Sequence, residues 1–248
     1  MKLKEKISDW LKVYLENNNL DTFVVGISGG IDSAVASALC AKTNKRTIVL
    51  TMPIHQNPDE TNRGIKHIKW MQDRYQNVQD VHIDLTESYE SLIRSVPNKF
   101  HSKLSLANTR ARLRMSTLYM IAGSSNGIVV GTGNKVEDFG VGFFTKYGDG
   151  GVDVSPIADL MKSEVYDLGK DFGIIEDIIK AKPTDGLWDD GRTDEDQLGV
   201  SYDDLEWAMQ YQSDSITLSE EQRNILSVYN KHRSANIHKM KKIPVFKK

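Results

Sequence analysis

The stretch FVVGISGGIDSAVASALCAK, residues 23–42, constrains the fold more than any other part of the chain. Phe23–Ile27 is short, apolar and β-favouring, and Asp32–Ala41 is alanine-rich and helical in character. Ser28-Gly29-Gly30 leaves only a tight turn between them. A strand that runs through glycines straight into a helix opens a β-α-β unit. The alternation then continues. Arg46–Thr51 reads as a second strand and Val81–Leu85 as a third. A helix lies between them, with Asn57 as N-cap, Pro58 at its first position and Glu60 at its third, running to about Arg74. A long helical pattern over about Leu104–Ser124 precedes a fourth strand, Ile128–Thr132. Repeated apolar strands and helices predict an α/β fold, a doubly wound parallel sheet covered on both faces. Ligands of such sheets bind at the carboxyl ends of the strands, near a switch in strand order.

Beyond Thr132 the pattern changes. Residues 133–156 are loop-like and hold six glycines, and a helix follows at about Lys162–Phe172. The segment 182–200 carries five aspartates and one glutamate. Two terminal helices are expected, roughly Asp203–Tyr211 and Ser219–Ile237. With 248 residues, no internal repeat and no linker, the chain reads as one domain, 1–248, with a helical C-terminal extension. The N-terminus predicts an amphipathic helix with Ile7, Trp10, Leu11, Tyr14 and Leu15 on one face, rather than a signal sequence. A net charge of −2 gives no global reason to expect nucleic acid or a membrane surface as partner. No apolar run approaches the roughly 20 residues that span a bilayer. A cytoplasmic enzyme or binding protein is the expectation. The one cysteine, Cys40, permits no intrachain disulfide and reads as a small buried side chain.

The glycine turn has a chemical meaning. Glycines let a ligand approach the backbone N–H groups, and the helix behind presents the positive end of its dipole. The two together suit phosphate. Ser28 and Ser33 add hydroxyls. The turn is neither a GxxxxGK[ST] loop nor a GxGxxG loop, because Ile31-Asp32-Ser33 follows the glycines. Asp32 can be a helix cap. Beside a triphosphate it would repel the ligand unless a cation such as Mg²⁺ intervened.

SGGIDS resembles the PP-loop of the N-type ATP pyrophosphatases, which cleave ATP between its α and β phosphates and transfer AMP to an acceptor. Three later stretches narrow the resemblance: IVVGTGNKVED (128–138), GFFTKYGDGGVDVSPIADLMKSEVYDLG (142–169) and AKPTDGLWDDGRTDEDQLGVSYDDL (181–205). Together they are similar to the ammonia-dependent NAD⁺ synthetases, over nearly the whole chain. The resemblance implies a Rossmann-like fold of the adenine nucleotide alpha hydrolase type. It implies the last step of NAD⁺ biosynthesis, a ligase reaction: deamido-NAD⁺, ATP and ammonia give NAD⁺, AMP and pyrophosphate, through an adenylated intermediate, with Mg²⁺. It further implies a homodimer with deamido-NAD⁺ bound across the interface. The short stretch before the first strand is expected to leave no room for a glutaminase domain, so free ammonia is the expected nitrogen source unless a separate protein supplies it.

Carried over position by position, the resemblance assigns Gly26, Ile27, Ser28, Gly29, Gly30, Ile31, Asp32 and Ser33 to ATP, together with Thr132, Lys162 and Thr184. It makes Asp32 and Glu137 the magnesium ligands. Arg112, Lys146, Asp153, His238 and Lys239 become deamido-NAD⁺ contacts. Asp153 is also the expected acceptor of a proton from incoming ammonium. Lys162 begins a helix, an unfavourable place for a cation, which points to a phosphate partner. The acidic 185–196 stretch is expected to be flexible until nucleotide binds. The chain ends IPVFKK, after a basic segment 231–248 with seven Lys/Arg and no acid, so a generic basic tail is the other reading of His238 and Lys239. Two competitors remain. Another PP-loop ligase would need elements that are absent here: the acceptor and dimerisation parts of a GMP synthetase, or the cysteines of a tRNA thiolase. A non-catalytic adenine-nucleotide sensor would not need Asp32, Glu137, Lys146, Lys162 and Arg112 together.

Overall fold

A parallel sheet lies at the centre of the computed structural model, which describes residues 1–184, 186, 193–212 and 218–248. Among the described residues its strands are β1 (Thr22–Gly26), β2 (Arg46–Thr51), β3 (Val78–His82) and β4 (Gly127–Val129). Their spatial order is β3-β2-β1-β4, all parallel. The chain builds outward from β1 to β3, then returns to place β4 on the other side of β1. The reversal of strand order therefore falls between β1 and β4, and their carboxyl ends open the crevice in which such sheets bind ligands.

The helices among the described residues are α1 (Leu3–Asn17), α2 (Ile31–Lys42), α3 (Pro58–Gln72), α4 (Thr86–Arg94), α5 (Lys103–Ser124) and α6 (Lys162–Phe172). They are followed by α7 (Glu176–Ile179), α8 (Asp194–Leu198), α9 (Tyr202–Gln210) and α10 (Glu220–Met240). Side chains alternate across the sheet. Phe23, Val25 and Val49 pack with Leu11 and Leu15 of α1, Leu39 of α2, Ile68 of α3 and Leu168 of α6. Val24, Ile48, Leu50 and Val129 face the opposite way, toward Tyr89 of α4 and Ala122 of α5. Both faces are covered, as continuous apolar strands require. A third core, Val136, Val141, Leu198, Tyr202, Leu205, Ile225 and Tyr229, binds α8, α9 and α10 to a π-helical turn at Val136–Val141.

Several local expectations shift. The third strand lies at 78–82 rather than 81–85, because β2 pairs from Thr47↔Val78 to Thr51↔His82. The more apolar Ile83 and Leu85 instead steer the chain into α4, which the sequence reading did not include, donating to the Thr51 and Pro53 carbonyls. β4 ends at Val129 rather than Thr132, because Gly131 turns its N–H to the Val154 carbonyl at 2.7 Å. In α1 the buried stripe runs through Ser8, Leu11 and Leu15, while Trp10 is 47% exposed. Asn57 does cap α3, accepting from the Asp59 N–H at 2.9 Å, but Glu60 takes Gln56 Nε2 rather than closing a reciprocal box. The expected loop 133–156 contains the π-helical turn. Cys40 is fully buried, and burial pushes its thiol well above the ordinary range.

Candidate active site

The turn after β1 is held in shape by its own atoms. Ser28 Oγ lies 3.1 Å from Ser33 Oγ and accepts from the Gly30 N–H at 3.2 Å. Ser33 Oγ donates to the Gly30 carbonyl at 3.0 Å and accepts from the Ser28 N–H at 3.2 Å. Gly29 has φ +87°, and a Cβ there would lie 2.3 Å from the Glu60 carbonyl oxygen. Glycine is thus required twice, for its backbone angle and for the approach of α3. Gly30 occupies the N-cap of α2, so Asp32 sits in the first turn without capping it. The carboxylate of Asp32 is left for other partners.

Those partners come from across the switch point. Asp32 Oδ2 accepts from Lys162 Nζ at 2.6 Å, and Glu137 Oε1 accepts from the same ammonium at 3.0 Å. Lys162 begins α6 with its side chain only 3% exposed, whereas Asp32 and Glu137 are 18% and 15% exposed toward the cavity. Burial pulls the Lys162 ammonium down, but Asp32 and Glu137 push harder and hold it above its ordinary value. Asn134, fully buried, joins the two acids: its Nδ2 donates to Asp32 Oδ1 at 3.0 Å. Its Oδ1 accepts from the Val136 and Glu137 N–H groups, both at 3.1 Å, at the start of the π-helical turn. Tyr202 donates to Glu137 Oε1 at 2.6 Å.

The cavity has a volume of about 230 Å³. Its polar wall includes Ser28, Gly30, Asp32, Ser33, Thr132, Glu137, Lys162 and Thr184, and its apolar wall Met52, Met115, Leu118 and Val152. The resemblance-derived ATP residues other than Gly29 therefore line one space, and Gly29 shapes the turn behind it. Asp138 also lines it; burial, then Glu137, Asp149 and Asp32, raise its carboxyl to about 8.

The expected deamido-NAD⁺ residues lie elsewhere. Arg112 is exposed on α5 and donates to the Lys146 carbonyl, 3.3 Å from its terminal nitrogen. Its neighbours diverge: Arg110 is buried over the Tyr89 ring, and Arg114 reaches the Met52 carbonyl and Gln56 in the cavity wall. Lys239 on α10 donates to the Phe144 carbonyl at 2.7 Å, and burial lowers its pKa. His238 is exposed, and its Nδ1 lies 3.2 Å from the Ala235 carbonyl of its own helix. Arg112, Lys146 and Lys239 thus share the 144–146 segment, outside the cavity wall.

Asp153 does not join the cavity. Its carboxylate accepts from the Tyr119 hydroxyl at 3.0 Å and the Val129 N–H at 2.8 Å, fixing β4 to the following segment. The proton-accepting role expected of it would require the carboxylate to leave one of these two partners. The acidic stretch expected to be flexible falls partly on residues 185 and 187–192, outside the described residues; its end, from Thr193, forms the capped start of α8.

The sequence reading assigned no role to Asn134, Asp138, Arg114 or Tyr202. Asn134 and Tyr202 stood inside the quoted motifs, and their link to the acids exists only once the fold closes.

An arrangement of a phosphate-suited turn, two acids and a buried lysine can neutralise and orient a polyphosphate. Among the described residues no three His, Cys, Asp or Glu side chains form a metal cage of their own. Two carboxylates already holding one cation fit Mg²⁺, which takes one or two carboxylates and completes its shell with phosphate and water.

A family model described as NAD synthase matches residues 3–248. An NH(3)-dependent NAD(+) synthetase of Carboxydothermus hydrogenoformans is 38% identical over 206 residues, 82% of each chain. The structure of an NMN synthetase from Francisella tularensis superposes with a TM-score of 0.87 at 34% identity, covering 98% of this chain and 96% of that one. An NH3-dependent NAD synthetase from Campylobacter jejuni gives a TM-score of 0.80 at 26% identity, covering 99% and 98%. The chain belongs to the NAD synthase family, ligases that use ATP to form a carbon–nitrogen bond.

Proposed function

We propose that this chain amidates deamido-NAD⁺ with free ammonia, forming NAD⁺, AMP and pyrophosphate. One observation carries the reading: Asp32 and Glu137, from different elements, converge on Lys162 at the mouth of the phosphate-suited turn. A carboxylate will not accept ammonia directly, since its oxygen is a poor leaving group. In the first step a nicotinate oxygen attacks the α-phosphorus, and the bond to the bridging oxygen breaks with loss of pyrophosphate. Ammonia then attacks the activated carboxyl carbon, the bond from that carbon to the AMP oxygen breaks, and AMP departs while one proton of the ammonia nitrogen passes to solvent.

The backbone N–H groups of the 28–33 turn and the Ser28 hydroxyl bind and orient the phosphates. Lys162 offsets charge where two anions must meet. Asp32 and Glu137 would hold Mg²⁺, which supplies charge neutralisation on the phosphate oxygens. Thr132 and Thr184 line the same cavity and offer hydroxyls to the ligand. Arg112, Lys146, Lys239, Asp153 and His238 are the proposed contacts of the acceptor dinucleotide.

The reading includes a homodimer. α5 buries only Ala107, Arg110, Ala111 and Ala122, while Leu104 and Met120 are 62% and 77% exposed. A second copy covering α5 would bring its own surface to Arg112 and Lys146. No helix among the described residues is long and apolar enough to cross a membrane, and we assign the reaction to the cytoplasm.

A second reading has its own support. The Francisella structure is named for NMN synthesis, so nicotinate mononucleotide is the competing acceptor. Incubating the protein with ATP, Mg²⁺, ammonium and each acceptor, and measuring NAD⁺, NMN, AMP and ADP, decides between them. NAD⁺ and AMP in equal amounts without ADP support the first reading. A much higher kcat/KM for the mononucleotide would replace the acceptor, and no AMP with either would refute both.

A further inference from the structure

We propose that Tyr202 is a positioning residue for Glu137, tying the segment after the acidic stretch to the catalytic cation site. The inference rests on the reading of Glu137 as a metal carboxylate. Tyr202 opens α9 behind a Ser201–Asp204 capping box, and it is only 5% exposed. Its hydroxyl donates to Glu137 Oε1 at 2.6 Å and lies 3.3 Å from Asp194 Oδ2. A phenol has one proton to donate, and the shorter contact directs that hydrogen bond to Glu137 Oε1. The ring carries the Lys162 ammonium at 4.6 Å from its centroid. Its backbone N–H donates to Glu195 Oε1 at 3.0 Å, in α8.

One buried side chain therefore touches both the acid and the lysine of the site, and its backbone is anchored to the helix that follows residue 192. The packing holds it there, because Tyr202 belongs to the same core as Val136 and Val141, which flank Glu137 in the π-helical turn. A hydrogen bond onto one oxygen of a ligating carboxylate decides which way that carboxylate turns, and loss of such a partner weakens metal binding by about 10- to 100-fold.

The test is Tyr202→Phe, which keeps the ring, its packing and its place under Lys162 and removes only the hydroxyl. Mn²⁺ is the probe, titrated by water-proton relaxation in the presence of α,β-methylene-ATP, which is not cleaved between its α and β phosphates. Mn²⁺ affinity should fall about 10-fold. Half-saturating Mg²⁺ for AMP formation should rise by the same factor, while kcat at saturating Mg²⁺ changes little. A role confined to packing would lower thermal stability without moving the Mn²⁺ affinity, and that result overturns the proposal.

A double variant removes dependence on any one protein's behaviour. If Tyr202 acts through Glu137, adding Tyr202→Phe to Glu137→Gln causes no further loss of Mn²⁺ affinity; a full additional loss would refute the coupling. Asp32→Asn separates the two levels. If its Mn²⁺ affinity equals wild type, the metal reading itself fails. If Asp32→Asn weakens binding and Tyr202→Phe does not, only the positioning role falls.

Discussion

Lys162→Met removes the ammonium that Asp32 and Glu137 share. The ammonium lies 2.6 and 3.0 Å from the two carboxylates. At an effective dielectric of about 20, each contact represents about 6 kcal/mol of gross attraction. Dehydrating the ions offsets much of this, by several kcal/mol per ion. Removing one partner of a fully buried pair nonetheless costs about 3–5 kcal/mol, since the remaining charge stays buried. Here the carboxylates are 18% and 15% exposed, so cavity water reaches them and the lower limit, about 3 kcal/mol, applies. For a chain of this length each kcal/mol is about 2–4 °C of Tm, which predicts a fall of about 6–12 °C without nucleotide. Differential scanning calorimetry would measure it. Mg²⁺ at matched ionic strength should raise the variant's Tm more than that of wild type, by supplying the missing cation. AMP formation should fall at least about 100-fold. Equal Tm values for variant and wild type would refute the claim that Lys162 neutralises the pair.

Other outcomes follow from single sites. Gly29→Ala must take φ +87° and place a Cβ 2.3 Å from the Glu60 carbonyl, so it should lose at least about 2 kcal/mol and raise the KM for ATP; an unchanged KM would count against the turn as phosphate site. His67 is buried beside Ser37 and Trp70, and burial lowers its pKa from 6.5 to about 4. The unfolded chain therefore binds its proton first, so this stability is complete above pH 6.5 and is lost as pH falls toward 4. At pH 5 the loss is about 2 kcal/mol, and a Tm–pH slope no flatter in His67→Gln would exclude His67 as its source. Asp153→Asn should raise the KM for deamido-NAD⁺ as a lost acceptor contact while leaving the pH dependence of kcat at saturating ammonium as in wild type, because its carboxylate is engaged by Tyr119 and Val129; a shifted kcat–pH profile would support it as proton acceptor instead.

The sequence by itself determined the fold class and the location of the phosphate turn, because both are local. Strand, glycines and helix at residues 23–42 are contiguous, and alternating apolar segments permit little besides a covered parallel sheet. The family's motifs named Asp32, Glu137 and Lys162 before any of them had a position. Tertiary structure decided what those residues do to one another. Lys162 looked like a cation badly placed at a helix start, and the fold buries it between two acids 130 and 25 positions away in the chain. Asn134 and Tyr202 gained roles only because a π-helical turn and α9 close over the same point. Asp153 shares a motif with Lys146, yet β4 and Tyr119 draw its carboxylate away from the cavity. A turn is written in consecutive residues; the charge balance of a site is written in distances between elements, and only the packed sheet and its helices fix those.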